Sequence, residues 1–447
     1  MKKSRKLYLY TFVAALGGLL FGFDTAVING AIPFFTNYFQ LSDALKGWTV
    51  SSALIGCVLG ALFIGRPADL FGRVSVLKFL GLLFLISAVG TGLATELWIF
   101  IVFRFIGGIA VGGASVLSPM YISEISPPAY RGRLTVTFQL AIVTGILVAF
   151  FTDYLLIGTG ENNWRWMFLS EVLPALLFLM LLYRVEKSPR WLVKTGAMER
   201  ARAVIRQVDP DAAVEQTLEE IRESIDQEIL SRNIYLFRQP FLKLILIGIA
   251  IGMFNQFTGI NVIMYYATDI FRSAGFSTNS AIGQTVIIGF TNLVFTLLAM
   301  RVIDQFGRKN LLLTGSLGMT VFLGLFSWAY LDGNFTGFSL LFFLVGFIAF
   351  FAFSQGAVIW VLLAEMFPNN IRARGSSIGS FSHWFFNALT TLLFPIIAGD
   401  FSGGRGTGYI FVFYAVATLL SFFFYKTYII ETKGKSLENL EKITLNS

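Results

Sequence analysis

Three charged side chains lie deep within the apolar runs of this chain, well away from the run ends. Asp24 closes the string Gly17-Gly18-Leu19-Leu20-Phe21-Gly22-Phe23-Asp24, Arg104 lies several residues into a later run, and Glu171 lies within another. A lone charge in an apolar phase costs several kcal/mol, so such groups turn inward, pair and often carry function. One guanidinium can serve at most two carboxylates by direct pairing. Protonation of Asp24 would cancel its charge and weaken a pair with Arg104, which is how a proton could bias an equilibrium between two arrangements. A permanent structural salt bridge is the alternative.

A second group is polar without charge: Gln139, Asn255, Gln256, Asn261, Asn292, Trp360, His383, Trp384 and Asn387. Amides offer donors and acceptors in a desolvated cavity, while indole faces cover C–H surfaces and Nε1–H donates. That set suits a neutral polyhydroxyl ligand. Hydrogen bonding between helices is the other use for any single amide, and the tight grouping from Asn255 to Asn261 argues for the ligand. His383 is the single histidine and Cys57 the single cysteine. A disulfide framework and a zinc site are therefore excluded. His383 is expected to contact ligand rather than relay protons, and Cys57 to fill a small core position. No nucleophile, base and orienting group stand together and no glycine loop follows a strand, so an enzyme is not expected, nor any cofactor.

The elements that position these residues follow from composition. Of 447 residues, 55% are hydrophobic and only 13% charged, about half the charged share of a soluble domain. Apolar segments recur at 8–32, 46–65, 75–95, 97–121, 134–157 and 164–183, then at 241–270, 280–303, 310–331, 338–364, 374–398 and 407–430. Each is long enough to cross a bilayer as a helix. The expected fold is an all-α membrane protein of twelve transmembrane helices in two pseudo-symmetric six-helix bundles. The N-terminal Lys2-Lys3-Ser4-Arg5-Lys6 resembles the start of a signal peptide, but the run behind it is too long and reads as a retained first span.

The net charge of +8 is explained by basic residues in short loops, which leaves no case for nucleic-acid binding. With the N-terminus inside, only Lys46, Arg165, Arg272 and Arg405 fall outside, and Arg104 falls within a span. The bias of basic residues places both termini in the cytoplasm. The expected location is the cell (inner, cytoplasmic) membrane, multi-pass. From Arg184 to Lys243 the charge signs mix evenly. Met198 to Val208 and Val214 to Leu230 carry apolar residues at helical spacing, which predicts short amphipathic intracellular helices. The expected domains are 1–185, a linker of 186–240, 241–432 and a cytoplasmic tail of 433–447.

An internal repeat fixes the architecture. Asp69, Phe71, Gly72 and Arg73 return as Asp304, Phe306, Gly307 and Arg308, and Glu124, Pro127 and Arg131 return as Glu365, Pro368 and Arg372. Two homologous halves in the same orientation follow, with a path expected between them. In each loop a glycine permits the turn while carboxylate and guanidinium can pair across helices. We expect such a latch to hold one conformation and open in the other, with Glu124 meeting Arg131 or Arg133 and Glu365 meeting Arg372 or Arg374. Topology anchoring alone is the simpler reading.

With these residues in view, the chain resembles the sugar porter family of the major facilitator superfamily along nearly its whole length. The marks are the Gly17 to Asp24 run, Arg104-Phe105-Ile106-Gly107-Gly108, Gln256-Phe257-Thr258-Gly259-Ile260-Asn261, Ser188-Pro189-Arg190-Trp191 and Glu431-Thr432-Lys433-Gly434. Ser170-Glu171 before Pro174-Ala175-Leu176-Leu177 looks especially like the family's bacterial xylose–proton symporters. The resemblance implies sugar contacts at Gln139, Gln256, Asn261, Asn292, Trp360 and Trp384, with Phe21 among them and Tyr265 closing over the site. It implies that Asp24 carries the proton, with Arg104 as partner and Glu171 in the relay.

Departures from those symporters bear on the substrate. Asn255 replaces the first of two adjacent glutamines, Ile146 a second glutamine in span 5, Gln355 a tryptophan and His383 a glutamine. Val74 replaces a basic residue of the first loop. The implied activity is proton-coupled import of a monosaccharide, hexose or pentose, by a monomer in the lipid bilayer working by alternating access. The alternatives are a proton-independent sugar uniporter and a symporter of a polyol such as inositol.

Overall fold

The structure is a computed structural model and describes residues 4–128, 130–230, 236–239, 241–333, 339–368, 371–400, 405–431 and 433. Among them all regular structure is helical. The first half contains α1 (Arg5–Phe39), α2 (Asp43–Phe63), α3 (Gly65–Phe71), α4 (Arg73–Leu93), α5 (Leu97–Ile125), α6 (Arg131–Leu156), α7 (Asn163–Leu169) and α8 (Val172–Leu182). The connecting segment forms α9 (Pro189–Lys194), α10 (Met198–Val208) and α11 (Val214–Leu230). The second half contains α12 (Phe241–Gln256), α13 (Ile260–Ser273), α14 (Thr278–Phe306), α15 (Arg308–Asp332), α16 (Ser339–Phe353), α17 (Gln355–Glu365), α18 (Arg372–Asp400) and α19 (Gly406–Tyr428).

These helices make twelve membrane-length spans among the described residues, and each apolar run read from the sequence coincides with one of them. Large apolar side chains stay exposed on their outer faces, Leu173 at 77% and Phe63 at 65% among them. In water such a surface would drive aggregation; in a bilayer it is the solvated face, and the helix satisfies its own backbone groups there. The two amphipathic helices of the connector occur where spacing predicts them, as α10 and α11.

Three spans are interrupted where the apolar runs are continuous. The sixth breaks at Ser170-Glu171 between α7 and α8, and Pro174 supplies the cause: it has no N–H for the Ser170 carbonyl. The seventh breaks between α12 and α13 at Gly259, whose φ of 82° is left-handed. There Thr258 Oγ1 donates to the Asn255 carbonyl at 2.7 Å, replacing helical partners locally. The tenth breaks between α16 and α17 at Ser354, with φ −125° and ψ −93°. Irregular backbone at membrane depth survives only where protein or a water-lined cavity surrounds it.

The chain divides into two compact units. Unit 1 comprises Met1–Asp24, Gly56–Gly145 and Phe168–Ile234; unit 2 comprises Thr25–Ile55, Ile146–Met167 and Tyr235–Ser447. The boundary therefore cuts α1, α2, α6 and α7 along their length. In unit 1, α4 packs on α5 and α8, and α2 lies so close to α5 that a Cβ at Gly56 would strike the backbone of Phe105 to Ile109. Cys57 is buried on that same face, as a small core residue should be. In unit 2, α12 packs on α18 and α15 on α16 and α19. The ends of α1, α2 and α6 that belong to unit 2 pack against second-half helices: Gly47 faces the Leu392 carbonyl and Gly289 faces Leu147 and Phe150.

Candidate functional site

Unit 1 holds the charged cluster. Asp24, Arg104 and Glu171 are 1%, 2% and 2% exposed. Arg104 Nη1 donates to Asp24 Oδ1, and Nη2 donates to the Asp24 backbone carbonyl at 3.2 Å. The guanidinium lies 5.4 Å from the centre of the Phe168 ring, an apolar lid with a cation-attracting face. Gly107 makes the approach possible, since a Cβ there would fall 2.9 Å from Asp24 Oδ2. Glu171 sits on the break between α7 and α8, where the charges of Asp24 and Arg104 act on it. Two carboxyls and one guanidinium carry one proton fewer than neutrality when all are ionised. The cluster can therefore take up a single proton without stranding a buried cation.

Unit 2 holds the amide set, and it gathers around the broken seventh span. Asn261 Nδ2 donates to Gln256 Oε1 at 2.8 Å, Gln256 Nε2 to Asn255 Oδ1 at 3.1 Å, and Asn255 Nδ2 to Gln355 Oε1 at 3.3 Å. Gln256 Nε2 also lies 3.1 Å from the His383 ring nitrogens. The His383 ring stacks obliquely on Trp360, centroids 4.8 Å apart, and meets Trp384 edge-on at 5.7 Å. Asn387 Nδ2 donates to the Tyr265 hydroxyl at 3.4 Å. Asn292, on α14, is 6% exposed. The helix breaks at Gly259 and Ser354 place Gln256, Asn261 and Gln355 beside irregular backbone. These amides bond to one another and can exchange those bonds for hydroxyls of a ligand at little net cost. Ile146 belongs to unit 2 as well, whereas Gln139 and Phe21 belong to unit 1, each half-buried.

The loop carboxylates and guanidiniums are joined in an unexpected pairing. Arg73, 6% exposed, donates to Glu124 at 2.9 Å, to Asp69 at 3.1 Å and to the Ala68 carbonyl at 3.2 Å. Glu124 is thus held by the first loop and not by Arg131 or Arg133, which lie exposed. Arg73 can reach it because Gly72, at φ 86°, starts α4 with its first side chain turned towards α5. Trp191 of the Ser-Pro-Arg-Trp string covers that glycine and donates from Nε1 to the Asp69 carbonyl at 3.1 Å, while Lys194 pairs with Asp69 at 3.1 Å. In the second half Gly307 repeats the turn at φ 86°. Arg308 Nη1 donates to the Ile303 carbonyl at 3.4 Å. The side chains of Asp304, Glu365 and Arg372 lie outside the described residues.

The bonding of four further polar residues escapes a reading of the sequence. Glu431 accepts the backbone N–H groups of Arg308 at 2.9 Å and Lys309 at 3.0 Å, a carboxylate on the positive end of α15. Asp153, inside α6 and 0% exposed, accepts the Gly30 N–H at 3.2 Å; an acidic residue in an apolar run was the available signal. Lys46 bridges Asp43 at 3.0 Å and Asp269 at 3.4 Å. Asn29, a buried amide of α1, is the fourth.

Twelve spans in two repeated halves, with three spans broken where polar side chains collect, define a secondary transporter of the major facilitator type. The chain matches the Sugar (and other) transporter family over residues 10–443, and it belongs to that family. It is 40% identical to the glucose transport protein of Synechocystis, over 97% of this chain and 96% of the relative. It is 38% identical to the D-xylose-proton symporter of Escherichia coli, over 98% and 96%. The fold matches a partially occluded inward-open structure of the xylose transporter XylE from E. coli with a TM-score of 0.86 at 36% identity, covering 97% of this chain and 100% of that one.

Proposed function

We propose that this protein is a proton-coupled monosaccharide symporter, for a hexose or a pentose, working by alternating access in the cell membrane with both termini in the cytoplasm. The observation that carries the reading is the Asp24–Arg104–Glu171 cluster, buried in the same chain as a connected amide and indole set. A relative named as a xylose–proton symporter and another named as a glucose transporter support it. Two bundles, 1–185 and 241–432, move as the working halves.

In this mechanism Asp24 takes a proton from outside and loosens its bond to Arg104, which Glu171 then receives. Sugar displaces the internal bonds of Asn255, Gln256 and Asn261, while Trp360 and Trp384 cover its C–H faces. The Arg73–Glu124–Asp69 cluster holds one conformation and lets go in the other. Each ligand must bind some states more tightly than others, since equal affinity shifts nothing. Proteoliposomes given an acid-outside gradient test the proposal: labelled xylose or glucose should rise above the external level and fall back with an uncoupler. Equilibration that ignores the gradient would make the protein a uniporter and the Asp24–Arg104 pair structural.

A further inference from the structure

Asp153 on α6 is 0% exposed and belongs neither to the charged cluster nor to the amide set. One of its oxygens, Oδ2, accepts the N–H of Gly30 on α1 at 3.2 Å. The other, Oδ1, is buried with no hydrogen-bond partner among the described residues. The bond from Gly30 is itself a shared one: α1 runs unbroken from Arg5 to Phe39, so that N–H already points along the helix to a carbonyl four residues back. Gly30 is what lets the carboxyl so near, since a Cβ there would fall 2.5 Å from Oδ2. The surroundings are apolar. Ala149 and Phe150 on α6 and Val27 and Ala31 on α1 are each 0% exposed.

Among the described residues no charge faces this carboxyl. The part of α1 in unit 2 carries Tyr38 as its titratable group, the same part of α6 carries Tyr154, and residues 278–290 of α14, which packs on α6 through Gly283 and Gly289, carry none. Helix α13 is tied to α1 through Asn29, whose Nδ2 donates to the Met264 carbonyl at 2.7 Å and whose Oδ1 accepts the Thr268 N–H at 3.0 Å. It brings Tyr265, Tyr266, Asp269 and Arg272, of which Asp269 is engaged by Lys46 and Arg272. None of these groups acts on the Asp153 charge. Asp24, equally buried, has the Arg104 guanidinium. An ionised carboxylate with one shared N–H is far costlier in such a place than a neutral acid, which leaves only a hydroxyl to be desolvated.

We propose that Asp153 is a second proton-binding site of this protein, separate from the Asp24–Arg104–Glu171 cluster: its carboxyl holds a proton while α6 is packed on Gly30 and gives it up when water reaches that contact. The O–H bond breaks, the proton passes to water and the carboxylate left behind is solvated. A water-exposed aspartate ionises at about pH 3.9, so at neutral pH the packed form carries one proton more than the parted form. Parting is therefore hardest in acid and eases about tenfold for each pH unit across the neutral range. On the orientation proposed above this is the outer end of α6, so external acidity favours the packed form; the proton site itself does not depend on that reading.

Infrared difference spectra of the full chain in nanodiscs at neutral pH, unsubstituted protein minus Asp153→Asn, read the protonation directly. The asparagine keeps the acceptor for Gly30 and cannot ionise. The difference should contain the C=O stretch of a protonated carboxyl, shifted in deuterium oxide; carboxylate stretches in its place would overturn the proposal. Hydrogen exchange over residues 25–36 of α1, divided by the intrinsic rate at each pH, gives the linked reading and, should the variant not fold, stands on the unsubstituted protein alone. Protection should fall about tenfold per pH unit across the neutral range in the unsubstituted protein and stay level in Asp153→Asn. Level protection in the unsubstituted protein would overturn the proposal, and so would an equal fall in Asp153→Asn, which would assign the proton to another group. Neither measurement needs sugar, so a failure of the transport assay and a failure of this site are separable.

Discussion

Arg104 holds Asp24 at two points, through Nη1 to the carboxylate and through Nη2 to the carbonyl of the same residue at 3.2 Å. A side chain tied to both ends of one residue fixes that stretch of α1 as well as its charge. On the proposed mechanism, loss of the carboxylate charge weakens one of these two ties and leaves the carbonyl bond as the other. Asp24→Asn should keep sugar exchange across the membrane and lose accumulation, with the gradient-driven concentration ratio falling to unity. Counterflow and uphill uptake, measured on the same vesicles, check it; undiminished accumulation would remove Asp24 from coupling.

Gln256 touches Asn255, Asn261 and His383, so it is the hub of the amide set. Gln256→Ala should weaken sugar binding about tenfold, the usual effect of one or two hydrogen bonds. Membrane insertion and helix content should not change. Calorimetric or fluorescence titration gives the affinity, and circular dichroism the control; an unaltered affinity takes Gln256 out of the site.

Arg73 and Glu124 form a buried pair, with side chains 7% and 9% exposed. Removal of one partner strands the other, at a cost of about 3–5 kcal/mol in buried settings. Arg73→Ala should lower the thermal midpoint clearly, and Arg73→Lys should not rescue it, because a point charge cannot serve Glu124, Asp69 and the Ala68 carbonyl together. If Glu124→Gln added to Arg73→Ala costs as much again, the two residues do not act as a pair.

The twelve spans, the repeat and the short helices α10 and α11 were all legible in the sequence, because hydropathy, motif recurrence and helical spacing report on stretches of several residues or more. The breaks at Ser170, Gly259 and Ser354 were not. An average over twenty residues cannot register one residue at φ 82°, although Pro174 and Gly259 carried the local chemistry. The partner of Glu124 was missed for a related reason: Arg73 arrives from another loop, and sequence distance favours Arg131. Most of the amide set was legible by residue type, while its bonding order from Asn261 through Gln256 and Asn255 to Gln355 follows from the helix breaks. Asn29 resembled any other helix-to-helix amide until its two backbone partners on α13 were seen.

Glu431 caps α15 through the Arg308 and Lys309 N–H groups. Glu431→Gln keeps the shape and removes the charge, so it should destabilise by about 1 kcal/mol, the scale of a cap carboxylate on a helix terminus. Chemical denaturation in detergent would show it, and Glu431→Ala should cost more. Equal stability of all three proteins would mean that the cap contributes nothing.

The coupling of sugar to protons is tested most directly by internal pH. The purified protein is reconstituted in liposomes holding a pH-sensitive dye, and glucose, galactose, xylose and inositol are added outside one at a time. Proton-coupled symport predicts acidification with at least one monosaccharide, absent in Asp24→Asn vesicles. A steady internal pH with all four, while labelled sugar still exchanges, would contradict it and leave Asp24 and Arg104 as a structural pair in a uniporter.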